Sequence, residues 1–170
     1  MHQLSRSLLA AIPYLSALPY AIDRAATRAE LRSALDAGDI IVSNRYTPSN
    51  MAHQSAKLPK DEQSKLVDFI EGVEYEDLGI PRPSLVFYLS VPTDISSELI
   101  TRKERRNYLG EETRDLAERN IAHQDRTRAA YVRLANLKGW HVIDCAPHQE
   151  MRTPEDIHEE IWSIVESELN

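Results

Sequence analysis

Over residues 4–18 the apolar positions Leu4, Leu8, Leu9, Ile12 and Leu15 recur at helical spacing, which predicts an amphipathic helix. Pro13 and Pro19 are expected to break or kink it. A second helix is predicted from about Pro19 to Ala37, with Gly38 as its stop. Ile40-Ile41-Val42-Ser43 reads as a short buried strand, followed by a polar loop over 44–50 and a helix from about Met51 to Leu58. From Asp61 to Leu78 another amphipathic helix is predicted, with Leu66, Phe69, Ile70 and Val73 on one side. Gly79, Pro81 and Pro83 punctuate the turn after it. Leu85 to Val91 is almost wholly apolar and rich in β-formers, as expected of a strand buried on both faces of a parallel sheet. Further helices are predicted from Thr93 to Lys103 and from Arg114 to Lys138, the latter closed by Gly139, with a charge-dense, partly looped stretch over 102–115. Trp140 to Asp144 is the third strand. The last helix has Thr153 as N-cap, Pro154 at its first position and Glu155 and Asp156 in its first turn. Its apolar face is Ile157, Ile161, Ile164 and Val165, with Leu169 as a candidate extension.

Strands that alternate with helices imply right-handed crossovers, hence an α/β fold with a parallel sheet flanked by helices. Three strands are few for a free-standing domain of that kind. The chain of 170 residues, without a low-complexity tract or long linker, is expected to form a single domain over 1–170. A formal net charge of -7 argues against a nucleic-acid partner, which needs a basic surface to replace phosphate counterions. It leaves room for a nucleotide, because a few arginines suffice for one phosphate. Cys145 is the single cysteine, so an intrachain disulfide is excluded. No apolar run approaches the roughly 20 residues that cross a bilayer, and residues 1–6 lack the features of a signal peptide. No membrane association and a cytoplasmic location are expected.

In parallel α/β sheets ligands bind beyond the carboxyl ends of the strands. After the Ile40–Ser43 segment, Asn44-Arg45-Tyr46-Thr47-Pro48-Ser49-Asn50 offers a guanidinium, a phenol, hydroxyls and an amide. Arg45 there is able to grip a phosphate through two parallel hydrogen bonds. Composition alone favours the plainer reading, a surface loop with Arg45 in an ion pair. Tyr20 and Arg24 are four apart and share a helix face, suited to stacking on and hydrogen-bonding a base. The plainer reading is a tyrosine at the core edge with Arg24 paired to a carboxylate. Arg102, Lys103, Arg105 and Arg106 could close over transferring phosphates, or form a solvated helix face, as charge runs usually do. The six histidines show no metal-ligand spacing, so no metal site is read from side chains.

These clusters, taken in order, resemble the thymidylate kinase family. The stretch Tyr20-Ala21-Ile22-Asp23-Arg24, then Asp39 to Gln54, is similar to the family's Asp-Arg helix, short strand, Asp-Arg-Tyr motif, Ser-rich turn and Ala-Tyr-Gln-like segment. Pro83 to Leu89 resembles its Pro-Asp-Leu strand, Val91-Pro92 the turn after it, the arginines from 102 its lid, and Tyr131 to Leu134 with Trp140 to Asp144 its closing helix and strand. The resemblance implies a three-layer P-loop-kinase-like sheet, ATP-dependent phosphorylation of dTMP to dTDP, ATP and Mg²⁺ as cofactors, and a homodimer. Tyr20 then falls where an aromatic ring stacks on thymine, Arg24 where an arginine contacts the base carbonyl, and Arg45 where an arginine holds the monophosphate. Ser49, Asn50 and Gln54 fall in the turn and segment that read base and sugar, with His53 in a place often held by tyrosine. Arg102, Arg105 and Arg106 become candidate lid arginines, and Cys145-Ala146 lies where the family wraps around the adenine of ATP.

Two departures bear on activity. Asn44 stands in place of the motif aspartate that lies near phosphates and magnesium. None of the five glycines is followed by lysine, so the sequence contains no Gly-x-x-x-x-Gly-Lys-Ser/Thr loop. The resemblance places that loop, with its strand and helix, upstream of Leu4. The expectations are a chain inactive alone whose complete form phosphorylates dTMP, and an exposed apolar sheet edge. The alternatives are a non-catalytic nucleotide- or partner-binding protein on the same fold, and a kinase of another nucleoside or nucleotide.

Overall fold

The computed structural model describes residues 2–105 and 114–169, with side chains from 12 to 99 and from 121 to 169. The chain divides into two compact units, residues 1–84 and 85–170.

The first unit is helical. Helix α1 (His2–Ala26) runs unbroken through Pro13 and Pro19, so the expected break between two helices lies later, at Thr27. A proline inside a helix loses one backbone hydrogen bond and strains the turn before it. Burial of Pro13, Ala17 and Ala21 against the following helices holds α1 together across both sites. Helix α2 (Arg28–Asp36) ends as predicted at Gly38, whose φ of 89° is open to glycine at little cost. The closure is a Schellman motif: the Asp39 amide donates to Ala34 O and the Gly38 amide to Leu35 O, both at 3.0 Å.

Residues 40–43 form no strand. A strand satisfies its backbone groups by pairing, and among the described residues the ladder joins only two other segments. Ile40 and Val42 are instead 68% and 92% exposed. Helix α3 (Thr47–Ser55) starts four residues earlier than the sequence suggests, because Pro48 suits a first helical turn. It is buried on almost every side, by Thr47, Pro48, Asn50, Met51, Ala52, Gln54 and Ser55, and packs between α1 and α4 (Gln63–Glu71). The α4 contribution is Leu66, Val67 and Ile70, and Phe69 meets Tyr14 of α1 edge-on at 5.1 Å. The predicted helix continues past Glu71, but as a π-helical turn over Gly72–Asp77. At its end Gly79 takes a φ of 62°, and Arg28 and Arg32 of α2 donate to Leu78 O and Gly79 O, each at 2.8 Å. Cations at these carbonyls complement the negative end of the helix.

In the second unit, β1 (Phe87–Ser90) and β2 (His141–Asp144) pair in parallel, with Phe87 opposite His141 and Ser90 opposite Asp144. Helices α5 (Thr93–Arg105) and α6 (Arg114–Lys138) make the crossover that parallel strands require. The parallel α/β character therefore stands, with two strands in place of three. The expectation that Leu85–Val91 is buried on both faces does not hold: each strand of a two-stranded sheet is an edge, and Leu89 and Val142 are 49% and 45% exposed. Tyr88 of β1 stacks flat on Tyr131 of α6 at 4.8 Å. Leu134, Ala135, Ile143 and Cys145 are buried. Helix α7 (Pro154–Leu169) starts on the cap read from the sequence, with the Asp156 amide donating to Thr153 Oγ1 at 3.1 Å.

Candidate functional site

Glu74 organises the interior of the first unit. It lies on the π-helical turn, in line with Leu66 and Ile70 at successive i+4 steps, so the face that buries apolar groups on α4 also buries this carboxylate. Its exposure is 0%. A carboxylate out of water needs donors on every lone pair, and four are present. Arg24 donates from Nε to Oε2 at 2.6 Å and from Nη2 to Oε1 at 2.5 Å, a two-pronged pair. Thr47 Oγ1 donates to Oε2 at 2.7 Å, and Asn50 Nδ2 donates to Oε1 at 2.8 Å. Two helices, α1 and α3, and the π-helical turn thus converge on one acidic group. π-Helical turns inside longer helices are frequent at functional sites.

Two tyrosines complete the cluster. The Arg24 guanidinium lies 5.8 Å from the centre of the Tyr46 ring, and the Tyr46 hydroxyl donates to Pro81 O at 2.9 Å. Burial pushes the Tyr46 hydroxyl above its ordinary range, against a lowering pull from Arg24 and with a smaller push from Glu74. Tyr75, hydrogen-bonded to the Thr47 side chain, is pushed up to about 12, mainly by burial. Both groups hold their protons more tightly folded than unfolded. The Tyr75 contribution is therefore complete below about pH 10, the ordinary tyrosine value, and is lost as pH rises toward 12. Urea unfolding at pH 8 and at pH 11 should show stability falling over that window by up to about 1.4 kcal/mol per pH unit from Tyr75. Tyr75→Phe should flatten the dependence; an unchanged slope in that variant would remove Tyr75 as its source.

The residues predicted for a site distribute unevenly. Arg24 and Asn50 meet at Glu74. The plainer reading of Arg24, an arginine paired to a carboxylate, is thus realised together with its place beside Asn50. Gln54, 3% exposed, accepts from Lys57 Nζ at 2.6 Å. Ser49 and His53 are half-buried on α3. Tyr20, one turn before Arg24, is 55% exposed. Arg45 is exposed with a φ of 68°, a left-handed conformation unusual for a side-chain-bearing residue, and Ser43 Oγ donates to its carbonyl at 2.9 Å. Asn44 is exposed in the same turn. Cys145 and Ala146 are buried in the second unit, just after β2, where burial raises the Cys145 thiol above its usual range. Arg102 and Arg105 belong to α5. Arg106 lies outside the described residues.

Glu74 and Thr47 were not singled out by sequence reasoning. The available signal was a glutamate on the apolar stripe Leu66–Ile70 of a predicted helix, where water cannot solvate it.

One polar atom in the cluster has no protein partner. Asn50 Nδ2 also donates to Ala17 O at 3.1 Å, while Asn50 Oδ1 is buried and unpaired. Buried acceptors are nearly always satisfied, so this one is left with the capacity to accept one more donor.

The residues for nucleoside triphosphate and magnesium do not fit in the same way. The sequence has no Gly-x-x-x-x-Gly-Lys-Ser/Thr loop, and the described residues contain no group of three His, Cys, Asp or Glu able to hold a metal ion. Among them no helix is long and apolar enough to cross a membrane.

A mostly helical α/β chain with a small parallel sheet and this Arg–Asn–Glu cluster is consistent with a kinase-like fold. The family model described as thymidylate kinase matches residues 4–161. The chain is 30% identical over 132 residues to the thymidylate kinase of Mycobacterium tuberculosis, strain CDC 1551 / Oshkosh, covering 78% of this chain and 60% of that protein. The thymidylate kinase of strain ATCC 25618 / H37Rv matches at the same identity and coverage. The chain belongs to the thymidylate kinase family, and it spans 60% of the length of these relatives.

Proposed function

We propose that the first unit is the nucleoside-monophosphate site of a dTMP kinase. The observation that carries the reading is the buried, unpaired Asn50 Oδ1, on a side chain that shares Glu74 Oε1 with the Arg24 guanidinium. An acceptor beside a donor matches the imide edge of thymine, where the N3 proton lies beside a carbonyl oxygen. Arg24 supplies the donor to that carbonyl, Tyr20 the stacking surface, and Arg45 the grip on the monophosphate. Ser49, His53 and Gln54 line the sugar and the base edge. On this reading the two units are parts of one three-layer α/β domain of the P-loop kinase type, in the cytoplasm. The family homodimer would use the exposed α1 stripe of Ile12, Leu15 and Ile22.

The reaction is transfer of the terminal phosphoryl group of ATP to dTMP. Such transfer depends on positioning and on neutralising charge more than on covalent help from the protein. ATP with Mg²⁺, when bound, would supply the phosphoryl group and the metal charge. This chain's residues position the acceptor: Arg24 and Asn50 fix the base, and Arg45 aims the monophosphate. Arg102, Arg105 and Arg106 are the candidate charge-neutralising groups, and Cys145 with Ala146 the candidate adenine contact. Without a phosphate-cradling loop in its sequence, the chain by itself should bind dTMP but not turn it over.

The test is a coupled assay for ADP formation from ATP and dTMP, run on this chain and on a form extended upstream, alongside calorimetric dTMP binding to the chain alone. Turnover by the extended form only, with dTMP binding by both, is the expected result. Absence of dTMP binding by either would sink the reading for this substrate.

A further inference from the structure

Glu74 takes no part in the proposed contacts with nucleotide, yet it sits behind two residues that make them. Orientation of the Asn50 carboxamide decides what the base meets. An asparagine side chain can present either its oxygen or its NH₂ group in a given direction, and only its partners determine which. Here the partners leave no choice. The amide atom that faces inward lies 2.8 Å from Glu74 Oε1 and 3.1 Å from Ala17 O. A backbone carbonyl accepts only, and so does an ionised carboxylate. The atom on Glu74 must therefore be the donor nitrogen, and the other, buried and unpaired, the acceptor Oδ1.

The other three bonds, two from Arg24 and one from Thr47, also run from a donor to a Glu74 oxygen. The carboxylate has no lone pair left to spare and no freedom to rotate. The same carboxylate fixes the plane of the Arg24 guanidinium, because the pair is two-pronged. One buried group thus sets the polarity of two neighbouring recognition points.

We infer that Glu74 is the positioning residue that selects the imide edge of a pyrimidine, in thymine or uracil, against the amino edge of cytosine. The inference rests on the assignment of Arg24 and Asn50 to the base. Cytosine presents an unprotonated N3 to Asn50 Oδ1, acceptor against acceptor, and its amino group to a guanidinium, donor against donor. A buried mismatch of this kind costs far more than a missing contact. In Glu74→Gln the carboxamide presents one NH₂ group in place of an oxygen. That group can face Asn50, which frees the Asn50 amide from half of its constraint, the Ala17 carbonyl being the other half.

The experiment compares dTMP with dCMP in binding to the full chain by titration calorimetry, for wild type and Glu74→Gln. Wild type should favour dTMP by roughly 100-fold, and Glu74→Gln should narrow the ratio to about tenfold or less. General loosening of the fold weakens both ligands alike and leaves the ratio unmoved. If wild type discriminates and a folded Glu74→Gln discriminates equally, Glu74 does not set the polarity, while the base assignment survives. If wild type binds both nucleotides equally, the base assignment itself fails, and the inference with it.

Should Glu74→Gln not fold, the wild-type chain still decides by NMR. Coupling through the hydrogen bond between Asn50 Nδ2 and the Glu74 carboxylate carbon, retained when dTMP is added, supports the inference. Absence of that coupling, or its loss on binding with the amide turned toward the nucleotide, overturns it.

Discussion

Glu74→Ala should lower the folding free energy by about 3–5 kcal/mol and the melting temperature by roughly 10 °C, measured by circular dichroism with heat and with urea. The side chain is fully buried, and its removal strands four donors on three residues at once. Thr47 and Asn50, 0% and 6% exposed, cannot turn to water. The Arg24 guanidinium, with side-chain exposure of 15%, becomes a nearly buried cation without its counter-charge. A cavity between α1, α3 and α4 adds to this. For scale, deleting a core leucine such as Leu66 costs 2–5 kcal/mol from transfer and cavity alone, so the polar and cavity losses at Glu74 together reach at least that level. The two-pronged geometry adds a second readout. Arg24→Ala leaves an unpaired buried carboxylate and should cost about as much, but the double variant should cost clearly less than the sum, because each single change already destroys the shared pair. A melting temperature within about 3 °C of wild type for Glu74→Ala would show that water reaches the cluster and that Glu74 does not hold the unit together.

That cluster also shows why part of the molecule could be read in the sequence and part could not. Elements with local signals were legible. The Thr153-Pro154 cap placed α7, Gly38 and Gly139 marked helix ends with the positive φ that each adopts, and α6 runs over the predicted residues. What failed depended on distant partners. Ile40 to Ser43 has the composition of a strand, but a strand is made by its neighbour, and among the described residues these have no ladder partner. Pro13 and Pro19 are helix breakers by local chemistry, yet tertiary packing of α1 outweighs the lost hydrogen bonds. Within the candidate site, Arg24, Arg45 and Asn50 stood out as candidates because they belong to short motifs that resemble those of the family. Glu74 was not, because its meaning comes from Arg24, Thr47 and Asn50, which lie 50, 27 and 24 positions away. A lone glutamate in an amphipathic helix is otherwise an ordinary surface residue.

Arg45 poses the converse problem, a candidate phosphate ligand in the sequence that is placed at a conformational cost. A side-chain-bearing residue in the left-handed region is disfavoured by about 1–2 kcal/mol, and such strain persists where function requires it. The φ of 68° and the Ser43 hydrogen bond to the Arg45 carbonyl fix this turn just before α3. Phosphate binding by the exposed guanidinium and backbone strain can be separated by substitution. Arg45→Ala keeps the strained backbone and removes the guanidinium. It should reduce dTMP affinity roughly 10- to 100-fold, the worth of a charge-assisted pair of hydrogen bonds, with stability within about 0.5 kcal/mol of wild type. Arg45→Gly should lose affinity equally but gain about 0.5–1 kcal/mol in stability, because glycine adopts this φ freely while giving back some of the gain through the more flexible unfolded chain. Thymidine, which has the base and sugar but no phosphate, supplies the control. Its affinity should be unchanged in both variants, since Arg24 and Asn50 are untouched. Equal loss of thymidine and dTMP would mean that Arg45 shapes the turn rather than holding the phosphate. An Arg45→Gly chain no more stable than Arg45→Ala would mean that the left-handed turn carries no strain, and the case for a functional reason behind it would fall with that result.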